Sequence, residues 1–286
     1  MASSDVLEIE RLGQRDDAGG LALSDAVGWN QTADDWRLFI DAGQAVGCRD
    51  DAGVLVATAA ALPYGDRVGW VSMILVADRF RHRGLASALL AECVAALAAT
   101  NRVPVLDATP AGAQVYRRGG FVDGFAFERW EGLAPGAGPA AAASAVSADR
   151  GADPALATTV VALDAAATGV DRDVVLRAFL ARPGTQVFVA PGDAGFALVR
   201  AGRHATQIGP LVAPDETQAL ALFERALAAC AGRVYIDVPN RWRGLAGRLE
   251  ALGFTRQRPF TRMARGATPA LAADGQVFAV AGPEFG

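Results

Sequence analysis

Short phrases recur in the same order along this chain, and a duplication of that kind limits it to a fold that can be used twice. Gly120-Phe121 precedes Phe127-Glu-Arg129-Trp130, and Gly253-Phe254 precedes Phe260-Thr-Arg262-Met263 at the same internal spacing. Upstream, Leu75-Val76-Ala77 is echoed by Leu211-Val212-Ala213, and Leu106-Asp107 by Ile236-Asp237. Each match alone is weak; in common order they point to two copies of one fold. Between the copies, from Glu131 to Pro154, glycine, proline and small residues replace apolar periodicity, the mark of a linker or an extended surface crossing. The expected organisation is a first domain over 1–133, a linker over 134–154 and a second domain over 155–286.

Composition agrees with two domains and removes several classes of function. A chain of 286 residues holds two domains of ordinary size. With 52% apolar and 20% charged residues it can bury full cores, unlike a disordered chain. A net charge of −4 without any basic run argues against nucleic acid as the partner. Every basic residue is arginine, which together with the abundance of Ala and Gly reads as codon usage in a GC-rich genome. Cys48, Cys93 and Cys230 stand far apart without paired metal spacing, so a reduced, cytoplasmic protein with no metal centre is expected. Met1–Asp5 lacks a basic region followed by an apolar one, so no signal peptide is expected, and no apolar run reaches the ~18 residues of a membrane span.

The first half reads as alternating α and β. Residues 21–41 carry helical spacing, Val54–Leu62 and Gly69–Val76 read as strands, and Leu85–Ala99 reads as an amphipathic helix. Strand Val103–Leu106, helix Ala111–Arg118 and a strand near Phe125–Trp130 come next. Hairpin-like strands precede the first helix crossover, so the fold class is α/β with a mixed sheet (α+β) rather than a purely parallel one.

Chemistry concentrates where the second strand meets the long helix, at Val76-Ala-Asp-Arg-Phe-Arg81-His82-Arg83-Gly84-Leu85-Ala86-Ser87. A helix start presents free backbone N–H groups and the positive end of its dipole, which suits an anion. Gly84 permits close backbone approach, Ala86 keeps bulk away, and Arg81 and Arg83 can add charged hydrogen bonds. His82 sits inside this loop, where a backbone contribution suits it better than catalysis. An ordinary turn with a solvated basic face would look similar.

Tyr116-Arg-Arg-Gly-Gly120-Phe121 lies downstream, and the pair of segments resembles the GCN5-related N-acetyltransferase (GNAT) superfamily. Arg81-x-x-Gly84-x-Ala86 matches its R/Q-x-x-G-x-G/A pyrophosphate motif, and Tyr116-x-x-x-Gly120-Phe121 matches its Y-x-x-x-G-F motif. The likeness covers residues 50–130 well and the first 50 loosely. It implies two tandem GNAT-type folds and acetyl-CoA as co-substrate, with its pyrophosphate at Arg81–Ser87. Backbone groups around Ile74, Leu75 and Val76 would pair with the pantetheine amides. It also implies direct attack of an amine on the thioester, without an acyl-enzyme. Tyr116 would protonate the leaving thiolate; its alternative is a packed tyrosine on an amphipathic helix. Trp70–Val76 offers no carboxylate, so Asp107 at the end of the next strand is the candidate base, with turn capping as its alternative. Trp29, Asn30 and Gln31 would help shape the amine pocket, although a capping box from Thr32 to Asp35 explains part of that cluster.

The second copy departs from the motif. Pro214-Asp-Glu-Thr-Gln-Ala219 has no glycine and two carboxylates that would repel a pyrophosphate, and Leu249 stands in place of Tyr116. The whole chain resembles bacterial two-domain acetyltransferases with a diverged C-terminal half, through Gly28-Trp-Asn-Gln31, Leu106-Asp-Ala-Thr109, Ile208-Gly-Pro-Leu211 and Ile236-Asp-Val-Pro239. The expected activity is acetyl transfer to a primary amine of a small molecule or peptide, with oligomerisation left open. The alternative is a non-catalytic acyl-CoA-binding or interaction module. Asp171-Arg172, Arg200, His204 and Asn240 could project toward an interdomain cleft, a usual place for a ligand, while simple folding contacts are the expectation for most of them.

Overall fold

The computed structural model describes residues 7–136, 146–147, 154–268 and 275–286. The residues read as the start of the chain, 1–6, and most of the expected linker, at 137–145 and 148–153, lie outside the described residues. The chain forms two compact units, Met1–Pro104 and Val105–Gly286.

The first unit is an antiparallel sheet with helices packed on it. Its strands are β1 (Glu10–Arg11), β2 (Gln44–Arg49), β3 (Leu55–Tyr64) and β4 (Val68–Val76), hydrogen-bonded in that order. Its helices are α1 (Asp17–Ala26), α2 (Ala33–Asp41) and α3 (Leu85–Ala98). β3 is buried along almost its whole length, as its run of Val, Ala and Leu requires of a strand covered on both faces. Helix α3 turns Leu89, Leu90, Cys93, Val94 and Leu97 inward, the i, i+1, i+4, i+5, i+8 stripe of an amphipathic helix. Gly69 of β4 is small for this reason: a Cβ there would lie 2.1 Å from Leu97. Trp36 of α2 is fully buried against Gly20 of α1, and its indole N–H donates to Ser24 Oγ at 3.1 Å. The expected capping box is present, with Asp35 accepting from the Thr32 amide at 2.7 Å and Thr32 Oγ1 from the Asp35 amide at 3.3 Å.

The second unit contains the rest of β5 (Val103–Ala108), α4 (Pro110–Arg118), β6 (Val122–Pro135), β7 (Val146–Ser147), α5 (Pro154–Thr168), α6 (Asp173–Leu180), β8 (Gln186–Val189) and β9 (Phe196–Arg200). It continues with β10 (Thr206–Val212), α7 (Glu216–Ala228), β11 (Ala231–Pro239), α8 (Arg243–Ala251), β12 (Thr255–Ala264) and β13 (Val277–Ala279). Two helices, three antiparallel strands, a helix, a strand, a helix and a strand thus occur twice. That order is the duplication read from the phrases, and the fold class is the expected mixed α/β.

Strand pairing in the second unit crosses between the copies. The order is β5-β12-β6-β11-β10-β9-β8-β7, so β12 lies between β5 and β6, and β6 lies between β12 and β11. β6 of the first copy therefore pairs with β11 of the second, and β12 of the second with β5 of the first. The exchange is fastened by two equivalent buried forks. Arg129 of β6 faces Asp237 of β11 in register and donates twice, at 2.9 and 2.8 Å. Arg262 of β12 faces Asp107 of β5 in register and donates twice, both at 2.9 Å. Between them Phe127 and Phe260 stand opposite each other with rings stacked at 5.1 Å. This exchange is the physical reason that the packing units divide at Pro104 and not inside the Gly/Pro-rich stretch: β6 runs into the start of that stretch, to Pro135, and is bonded on both sides to strands of the second copy.

A planar fork that satisfies both carboxylate oxygens offsets the desolvation of the two charges, and removing one partner strands the other. Asp237→Ala is expected to cost about 3–5 kcal/mol in urea unfolding, and Arg129→Met combined with Asp237→Leu to recover most of it. Additive losses in the double variant would show that the fork has no such coupling.

Candidate active site

In the first unit the ladder between β3 and β4 is broken by a bulge. Ser72 faces Ala60 and Leu75 faces Thr58, so Met73 and Ile74 together oppose Ala59. Met73 has a positive φ of 55°, which an unbranched side chain tolerates better than a β-branched one. The carbonyl turned out of the ladder is caught by the buried Thr58 hydroxyl, which donates to Met73 O at 2.9 Å. The bulge gives Ile74 and Val76 partly exposed positions on an otherwise buried strand, while Leu75 points into the core.

β4 runs through a single 3-10 turn, Asp78–Phe80, into the basic loop and then α3. Arg81, His82, Arg83, Gly84 and Ser87 are exposed, and Leu85 and Ala86 partly so. Gly84 caps α3 with φ +82° and lends no side chain, so no side-chain hydrogen bond closes this helix end, and its first turn holds no acid. His82 also has a positive φ, of 63°. The loop is braced from behind. Arg81 Nε donates to Val76 O at 3.2 Å, Arg83 to Arg79 O at 3.2 Å, and the Arg79 and Arg83 guanidinium groups flank the Phe80 ring. The outcome is an open helix start with positive charge held around it, the arrangement that suits a diphosphate. Its free amides, small Ala86 and left-handed Gly84 fit such a group.

The expected acceptor-side residues fall on the connector between α1 and α2. Trp29 is partly buried, and its amide donates to Ser24 O at 2.9 Å. Asn30 and Gln31 are buried. Gln31 Oε1 has no hydrogen-bond partner, and neither has Ser72 Oγ beside the bulge, although both residues are more than nine-tenths buried. The sequence motifs do not mark Thr58, Ser72 or the bulge at Met73. The signal available was Gly209, the residue that the repeat aligns with Met73: it has a φ of +143° and sits at the same two-against-one shift in β10.

Tyr116 and Asp107 belong to the second unit. Tyr116 lies on α4, partly buried, with its ring 6.2 Å from Phe121 and close over Gly112. Burial pushes its hydroxyl up to about 12, so it keeps its proton through the neutral range. Asp107 lies on β5 with its side chain buried. Burial raises its pKa, the Arg262 charge and hydrogen bonds pull it back, and both of its oxygens are taken by that guanidinium. The alternative of turn capping falls instead to Thr109, whose hydroxyl accepts from the Gly112 amide at 3.3 Å. All three cysteines are buried and free, and burial pushes Cys93 and Cys230 up to about 12, which leaves them poor nucleophiles. Among the described residues no group of three or more His, Cys, Asp or Glu side chains is placed to hold a metal, and no helix is long and apolar enough to cross a membrane.

Two family models match the chain: an acetyltransferase (GNAT) family model over residues 20–121 and an acetyltransferase (GNAT) domain model over residues 160–279. No curated protein matches it. Among solved structures it is similar to a Pyrococcus horikoshii protein provisionally assigned as an acetyltransferase, at 19% identity and TM-score 0.81, covering 99% of this chain and 96% of that one. It is also similar to a tandem GNAT protein from the clavulanic acid biosynthesis pathway, at 16% identity and TM-score 0.60, covering 92% and 99%. A GCN5-related N-acetyltransferase from Kribbella flavida is similar at 18% identity and TM-score 0.56, covering 92% and 72%. At these identities the structures establish the shared fold.

A buried hydroxyl that holds a backbone carbonyl and one that holds nothing should respond differently to deletion. Thr58→Val is expected to lose about 1 kcal/mol of stability by thermal or urea unfolding. Ser72→Ala should lose nothing and gain up to about 1–3 kcal/mol, since it removes a buried oxygen that has no partner. Equal losses at the two positions would mean that Ser72 is satisfied in solution.

Proposed function

Because this chain belongs to the GNAT superfamily and carries two of its domains in tandem, we propose that the first domain, residues 1–133, moves an acetyl group from acetyl-CoA to a primary amine of a small molecule or peptide. Residues 134–154 would link it to a second domain, 155–286, that has lost the chemistry. The observation that carries this reading is the contrast between two equivalent helix starts. α3 opens on an uncapped Gly84 behind Arg81, His82 and Arg83, while α7 opens on Asp215, which caps the Gln218 amide at 2.9 Å, followed by Glu216. A dianionic pyrophosphate is favoured at the first and repelled at the second.

The amides of Leu85, Ala86 and Ser87 would hold the diphosphate with help from Arg81 and Arg83. The backbone of Ile74–Val76 would carry the pantetheine amides. When bound, acetyl-CoA supplies the activated acyl group as a thioester. Gln31 Oε1 and Ser72 Oγ are buried acceptors without donors, and an amine N–H is the kind of group that would satisfy them. Leaving such atoms unpaired costs about 1–3 kcal/mol each, a cost that ligand binding recovers. Trp29 and Asn30 would shape the same side.

Tyr116 stays protonated, but a hydroxyl at about 12 is a weaker acid than a thiol near ~8.5, so complete transfer to the thiolate runs uphill. Tyr116 would therefore act by donating a hydrogen bond to the leaving sulfur, with the proton shed by the attacking amine as the final source. Asp107 remains the candidate base only if Arg262 releases one of its oxygens. Its place in one of two symmetric forks favours a structural part, with the amine then entering already neutral or losing its proton to water. That occupied carboxylate is also what favours the alternative of a non-catalytic acyl-CoA binder.

Calorimetry should find acetyl-CoA bound by the parent and lost in Gly84→Glu, with the exposed-site control Thr217→Glu binding normally. In an amine screen, Tyr116→Phe should keep acetyl-CoA affinity and lose kcat by about 10- to 100-fold, the worth of a hydrogen bond to a charged group. Binding without turnover of any amine would support the non-catalytic reading, and absence of binding by folded parent would remove both. Asp107→Asn should lower stability with little change in the pH dependence of the rate; loss of an ionisation from that profile would restore the base role.

A further inference from the structure

The second copy carries the same bulged strand as the first, and there the chain itself lies against it. β10 and β11 pair in parallel only at Thr206–Ile208, opposite Val234–Ile236. At Gly209 the ladder shifts, and beyond it β13 takes β10 as its antiparallel partner, with Leu211 facing Ala279 and Val212 facing Val277. The same short segment reaches the other strand, because the Val280 amide donates to Asp237 O at 3.0 Å. Ala213 donates to Gln276 O at 3.0 Å, so the extended run is bonded at both ends. Val277, Phe278, Ala279, Val280 and Ala281 are all buried. An extended chain with alternating amides thus fills the gap between two strands that diverge after a bulge, where the equivalent strands of a working copy would receive a pantetheine chain.

Residues 281–286, beyond Val280, pack against Arg172, Phe179 and Arg200. The chain folds into a turn closed by Phe285 N to Gly282 O at 3.0 Å, and Phe285 is fully buried edge-on to Phe179 of α6 at 4.9 Å. Arg172 sits immediately before α6, as Thr32 sits before α2. It is held by Asp164 through both oxygens, donates to Phe285 O at 3.1 Å and reaches Gly286 O. Arg200 meets Ala281 O and lies over the Phe179 ring at 3.8 Å. The helix start is filled as well: Glu216 of α7 accepts from the Leu245 amide of α8 at 3.0 Å.

We propose that residues 277–286 are a resident peptide ligand of the second copy, with Val277–Val280 in the cofactor slot and Ala281–Gly286 in the acceptor pocket. That copy is a strand-and-turn receptor for this one sequence and takes no acyl-CoA. Identifying the slot as a former cofactor site rests on the GNAT reading; the occupancy by residues 277–286 does not.

Hydrogen exchange on the intact protein tests the occupancy directly. The Val280 amide is expected to exchange at least about a hundredfold more slowly than in the free peptide Gly275–Gly286, and exchange at the peptide's rate would overturn the proposal. A chain ended after Asp274 should have a lowered Tm that rises saturably on adding the Gly275–Gly286 peptide, and should not respond to the peptide carrying Phe285→Ala. An unchanged Tm with no response to peptide overturns it too, and if the shortened chain does not fold, exchange on the intact protein decides. Acetyl-CoA titration of the parent adds a separate readout. Two sites per chain would sink the closure of the second copy, whereas none would sink only the function proposed for the first.

Discussion

The two Arg–Asp forks are the constraint on which the second unit depends. Arg129 with Asp237 and Arg262 with Asp107 each bury an opposite-charge pair in direct cross-strand register. Each pair joins the two copies, β6 to β11 and β12 to β5. A charge left alone in that interior costs several kcal/mol, so any arrangement that returned the strands to their own copies would have to rebuild both pairs at once. The stacked Phe127 and Phe260 mark the centre about which the two halves of this arrangement are equivalent. Gln207 donates to the free side of Asp237 at 3.0 Å and completes one fork. The exchange makes the duplicated sequence one folding problem.

Given that shared scaffold, the copies differ through a few side chains at equivalent points. At the helix start, Gly84 leaves backbone amides open and its neighbours are basic, whereas Asp215 and Glu216 satisfy amides with their own carboxylates. The helix dipole favours an anion at both starts; basic neighbours add to it at α3, whereas at α7 the chain's own carboxylates occupy the position. The connector before the second helix shows the same division. In the first copy Gln31 Oε1 is left without a donor, while in the second Arg172 is saturated by Asp164 and by backbone oxygens of residues 285 and 286.

Much of this was legible in sequence, for physical reasons that also explain what was not. The repeated phrases contained all four fork residues, Asp107, Arg129, Asp237 and Arg262, because a paired charge must be kept with its partner. Their recurrence marked the duplication, but a phrase cannot say whether its Arg meets the Asp of its own copy or of the other. Asp107 therefore read as a candidate base, though its oxygens are both engaged. The capping box at Thr32–Asp35 and the α3 stripe were readable since both are local. β2 was missed because Gln44–Arg49 has no clean alternation: its burial comes from neighbours on both faces. The bulge at Met73 leaves no mark in its own copy, only in the Gly209 that the repeat aligns with it, for a different reason. Its positive φ is imposed by the Thr58 hydroxyl and the flanking ladder, not by a glycine.

The bulge is common to the two copies. A strand that shifts register by one residue turns a carbonyl and an amide out of the ladder, and buried backbone groups of that kind must find partners. In the second copy they do so within the chain: Arg200 Nε approaches Gly209 O at 3.4 Å, and β13 continues the ladder beyond it. In the first copy Thr58 answers one carbonyl, and Ser72 beside it stays unanswered. The same distortion therefore creates the same demand twice. The sequence between residues 275 and 286 meets it in the second copy, and the Thr58 hydroxyl meets the Met73 carbonyl in the first, with the Ser72 hydroxyl left buried and unpartnered beside it.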